Sequence, residues 1–183
     1  MKTKIPVTWV VLLGLMLSIT LGILLEQPKT ASHSTFVFGS AHEHASLLVK
    51  IHDDPFDFTQ EQFQLQSPFI HLENDNGYVI HRHSEGITLE NLFQTLNLGL
   101  TPDCFTFDDG RKFCTNDDYS LKFYINEKKV DDLRDYQIFD GDYILISYGA
   151  ETQEEIKKQF QEQKNEGFPF QLREENRNNL SNV

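Results

Sequence analysis

Residues 5–25 are 21 consecutive positions without a charged side chain, preceded by Lys2 and Lys4. At 1.5 Å rise per residue, a helix of that length reaches about 30 Å, the thickness of a bilayer's hydrocarbon core. Lysines before the run and none after it until Lys29 predict a cytoplasmic N-terminus. The rival reading is a cleaved signal peptide, whose apolar stretch is shorter and ends in an A-x-A-like site. Here the run ends Leu24-Leu25-Glu26-Gln27-Pro28, with no small-residue pair, which favours an uncleaved anchor. Both alternatives put residues 31–183 outside the cytoplasm. The expected organisation is a cytoplasmic stub and single transmembrane anchor (1–25), a linker (26–41), an ectodomain (42–149), and a charged tail (150–183), partly helical and then disordered.

The two cysteines fit that compartment. Cys104 and Cys114 bracket Asp108-Asp109-Gly110, a three-residue hairpin loop with Gly110 at the left-handed position. Pairing Phe107 with Arg111 then sets Cys104 opposite Cys114, where a cross-strand bond is sterically possible. In an oxidising compartment a structural disulfide is expected. A catalytic dithiol is the rival reading, but such pairs sit at C-x-x-C beside a helix N-terminus. This spacing is neither.

Charge narrows the partners. Residues 42–149 hold 20 acidic and 8 basic side chains, so a phosphate backbone is repelled and nucleic acid is not an expected partner. Fifteen Phe and six Tyr supply the burial that disordered chains lack.

Within the ectodomain, residues 45–51 read as a strand with Leu47, Val49 and Ile51 inward. Residues 56–66 stay open between strand, loop and helical turn. Residues 69–73 and 78–83 read as a hairpin around Asp75-Asn76-Gly77, with Gly77 last in the loop. Residues 88–99 read as a helix with Thr88 as N-cap and Gly99 as stop, its apolar stripe being Leu89, Leu92, Phe93 and Leu96. Residues 121–125 and 143–147 are the last strands. This order predicts an α+β domain, a mixed sheet covered by one main helix. Residues after 150 carry Glu154 and Lys158 at i,i+4 and read as two to three solvated helical turns, then a mobile tail. Asn179-Leu180-Ser181 fits an N-glycosylation sequon.

Residues 121–130, 133–138 and the ending Asp140-Gly141-Asp142 to Ile146 resemble ubiquitin and its β-grasp relatives, which implies a β-grasp fold for the ectodomain. Over residues 42–149 the chain carries His42-Glu43-His44-Ala45, Phe69-Ile70-His71-Leu72-Glu73, Ile80-His81-Arg82-His83, Gly86-Ile87-Thr88-Leu89, two cysteines and Ile146-Ser147-Tyr148-Gly149. Together these resemble small membrane-anchored archaeal and bacterial proteins that often carry the name protein-disulfide isomerase. That resemblance implies an extracytoplasmic, disulfide-bearing membrane protein.

Five of the seven histidines cluster at His42/His44, His71 and His81/His83. In the 69–83 hairpin, Ile70 and Leu72 share the inward face with Tyr78 and Ile80 only if the loop has an odd length. That register sets His71 opposite His81, with His83 two positions along on the same face. Parity in the first strand turns His44, Ser46 and His52 away from the apolar face, and His42 with them if the strand extends that far. Neutral imidazoles in such a group suit copper or zinc, with His71, His81 and His83 as primary ligands and His42 and His44 completing the shell. Glu43, Glu73 or Glu85 would add an oxygen ligand or orient an imidazole. The competing readings are pH-responsive packing or protein contact, and an ordinary solvated sheet face.

No serine-nucleophile motif, phosphate loop or paired-carboxylate pattern accompanies the histidines. The expected function is a membrane-tethered extracytoplasmic module that binds a transition metal. The alternatives are a thiol–disulfide oxidoreductase using Cys104 and Cys114, and an accessory subunit docking onto a membrane complex.

Overall fold

The computed structural model describes residues 35–166. The anchor, most of the linker, the end of the tail and the sequon lie outside the described residues. Among the described residues, no helix is long and apolar enough to cross a membrane.

Alternation along β1 (Glu43–Ile51) sends Ala45, Leu47 and Val49 into the main core. Its neighbours are β10 (Asp142–Gly149), parallel to it from Ala45↔Asp142 to Ile51↔Tyr148, and β4 (Val79–Arg82), antiparallel to it. β3 (Ile70–His71) flanks β4, while β8 (Ser120–Ile125) and β9 (Lys128–Val130) follow β10 on the other side. The sheet order is therefore β3-β4-β1-β10-β8-β9, with the short β2 (Asp54–Pro55) paired to the end of β1. A second sheet joins β5 (Gly99–Leu100), β6 (Cys104–Thr106) and β7 (Lys112–Cys114). The domain is a mixed α+β fold, as the element order predicts.

The helix α1 (Leu89–Thr95) packs Leu89, Leu92 and Phe93 into the main core with Ile144 and Ile146 of β10. The Thr88 N–H donates to Asn91 Oδ1 at 2.9 Å, closing its N-terminus. Its end differs from expectation. Asn97, with φ 57°, takes the left-handed position after the helix, and Gly99 instead pairs with Thr106 in β5.

One helix does not suffice to cover this sheet. The longer helix is α2 (Gln153–Glu166), in the segment whose charge pattern predicts a solvated tail. It lies on the opposite face, where Ile156 and Phe160 form a second cluster with Leu48, Tyr124 and Leu145. Burying side chains of that size is worth about 1.5–3 kcal/mol each, enough to seat a helix that is otherwise charged. Ion pairs beneath it help: Lys50 Nζ lies 2.6 Å from Glu162 and 3.1 Å from Asp53, and Lys122 Nζ lies 2.7 Å from Glu151. Ser46, Leu48 and Lys50, which parity sets on the non-core face, are thus buried as well.

The cysteine hairpin forms as expected. Cys104 pairs with Cys114 and is bonded to it, and Gly110 has φ 85°. The open segment 56–66 contains a 3₁₀ turn at Glu61–Phe63, with Phe56, Phe58 and Phe63 ringed together.

Candidate functional site

The 69–83 hairpin keeps its expected register, His71↔His81 and Ile70↔Arg82, but closes differently. Asn74 (φ 60°) and Asp75 (φ 53°) take the left-handed positions rather than Gly77. Gly77 is favoured for another reason, because a Cβ there would lie 3.1 Å from Phe58 Cβ and Thr59 N, a tighter contact than most side chains make. Ile70, Leu72 and Ile80 enter the main core as the pattern predicts, whereas Tyr78 packs against the second cluster. His81 is also the direct partner of His44 on β1. One row of imidazoles, His71, His81 and His44, therefore crosses three strands.

His83 and His42 form the next row. The entry segment holds it in place through the Gly39 N–H, which donates to the His83 carbonyl at 2.7 Å. Ring centres are 4.7 Å apart for His44–His81, 4.8 Å for His42–His44, 5.1 Å for His42–His83 and 5.0 Å for His71–His83. His71–His81 and His81–His83 are 5.8 and 6.3 Å apart. All five expected histidines thus share one continuous patch. As the side chains stand, no three of the described His, Cys, Asp or Glu residues are arranged to hold a metal ion. His52 is absent from the patch. With φ 53° it turns away after β1, and its ring sits among Phe113, Tyr119 and Tyr148.

Carboxylates frame the patch. Glu73 lies 3.3 Å from His71 Nε2 and 3.5 Å from His81 Nδ1. Asp140 lies 3.4 Å from His44 Nδ1 and accepts the His44 N–H. No local pattern points to Asp140, because the parallel pairing that brings it there joins residues 96 positions apart. Glu43 is turned elsewhere, accepting the Asp140 N–H at 2.7 Å and lying 3.7 Å from Arg82. The Glu85 N–H donates to Ser40 Oγ.

Burial pushes His81 down to about 4, helped by its neighbours His44, His71 and His83 and opposed by Glu73. His83 is also lowered, by burial and then by His71 and His42. Between pH 6.5 and 4 the unfolded chain takes up a proton at His81 that the folded chain refuses, so stability falls on acidification through that window. Metal-free protein is therefore expected to melt earlier at about pH 5 than at about pH 7. The His81 share should be on the order of 1 kcal/mol after allowing for partial solvent access. Thermal melts of wild type and His81→Asn across that range check it, since the variant should have the shallower slope.

The chain matches no family model, no curated protein and no solved structure.

Proposed function

We propose that this chain is a membrane-tethered, extracytoplasmic module that holds a copper or zinc ion through His71, His81 and His83, with His42 and His44 completing the shell. The observation that carries the reading is the five-imidazole patch itself, gathered from separate strands around a His81 that burial keeps unprotonated. Neutral imidazole is the form that binds metal. With metal–nitrogen bonds of about 2.0–2.1 Å, two imidazoles on a tetrahedral ion have ring centres about 5 Å apart. The three primary rings stand 5.0, 5.8 and 6.3 Å apart, at or slightly beyond that value. Convergence of the nitrogens then needs ring rotation about χ2, a broad torsion for histidine.

A β-grasp scaffold is the fold we assign to this module. Support comes from the parallel pairing of β1 and β10 at the sheet centre, with antiparallel neighbours β4 and β8 outside them and α1 packed on one face. The tether rests on the uncharged run 5–25, and the Cys104–Cys114 bond accords with an oxidising compartment.

Calorimetric titration of the chelator-treated full chain with copper(II) and with zinc tests the reading. One tightly bound ion per chain is expected, with affinity falling as pH drops through about 6.5. Weak, non-stoichiometric uptake would make the histidines ordinary surface polar groups.

A further inference from the structure

We infer that Glu73 is the oxygen ligand that joins His71 and His81 into one divalent-cation site, an inference that rests on the metal-binding reading above. His71 is buried, and its Nδ1 lies 2.7 Å from the Ser67 carbonyl oxygen. A carbonyl oxygen only accepts, so Nδ1 carries the hydrogen. A neutral imidazole has one N–H, which leaves Nε2 as a bare lone pair. That lone pair faces Glu73 Oε2 at 3.3 Å, and an ionised carboxylate is also acceptor-only. Two acceptors held this close require a cation or an extra proton between them.

The second oxygen extends the same arrangement. Glu73 Oε1 lies 3.5 Å from His81 Nδ1. In a tetrahedral site with bonds of about 2.0–2.2 Å, neighbouring donor atoms are about 3.4 Å apart. Both Glu73 contacts are close to that length but run to different oxygens, and the three side chains do not converge on one point as they stand, so seating an ion takes rotation of the carboxylate and the rings. The Glu73 side chain is 31% exposed, which leaves a path for an ion from solvent. The donor set also limits the cation. Both cysteines are consumed in the disulfide, so nitrogen and oxygen donors without sulfur favour zinc or copper(II) over copper(I).

The test is competitive zinc titration of the full chain as wild type, Glu73→Gln and Glu73→Asp, with cobalt(II) visible spectra as the second readout. Glu73→Gln should lose about 10- to 100-fold in zinc affinity and alter the cobalt spectrum, while Glu73→Asp recovers part of both. Metal-free melting curves of the variants separate a lost ligand from a lost fold. If Glu73→Gln binds zinc and cobalt as wild type does, while His71→Ala loses them, the imidazoles act without the carboxylate and this inference falls alone. In that case a proton occupies the His71–Glu73 contact. Failure of the wild type to bind either ion overturns both readings.

Discussion

Replacing His81 and His83 together by alanine is expected to lower metal affinity at least about 100-fold, effectively removing the site. The size of the effect follows from topology. His81 is the direct cross-strand partner of both His71 and His44, and His83 stands between His71 and His42. Without the pair, the remaining imidazoles fall into a lone His71 and an adjacent His42–His44 couple. Titration calorimetry with zinc and copper(II) measures the loss, and circular dichroism of the metal-free variant checks the fold. Binding untouched by the double change would end the metal-site reading for this patch.

Cys104→Ser combined with Cys114→Ser is expected to destabilise the domain by about 3 kcal/mol on the chain-entropy model, lowering the melting temperature by roughly 10 °C. The strands β6 and β7 pair over only three positions, and the fully buried Phe105 sits between them and the main core. The bond therefore holds a small hairpin whose own ladder is short. A structural bond of this type should have a reduction potential below about −300 mV. If the double variant kept full thermal stability yet lost activity in an insulin-reduction or refolding assay, the oxidoreductase reading would displace the structural one.

Features set by local geometry are legible in the amino-acid sequence. The Cys104–Cys114 pairing needs only a three-residue loop with glycine in the left-handed position. The His71–His81 pairing needs only the inward parity of Ile70, Leu72 and Ile80, because a slip of one residue would turn the imidazoles into the main core and the apolar side chains out of it. Loop chemistry is less legible. Gly77 is the residue type that a left-handed position favours, but Asn74 and Asp75 take those angles. The glycine instead sits where Phe58 and Thr59 cross close by, about 3.1 Å from the position a Cβ would take. That contact joins segments whose approach no local pattern encodes.

Sequence alone thus determined which side chains share a strand face and which residues meet across a hairpin, since a period of two and a short loop leave one consistent register. Tertiary structure alone decided what lies beside those faces. The parallel β1–β10 pairing delivers Asp140 to His44, and α2 covers Leu48 and Lys50 while the histidines stay outside its cluster. Both depend on contacts between segments 96 to 112 residues apart. Such contacts follow from the summed burial of whole faces, which no short window of sequence contains.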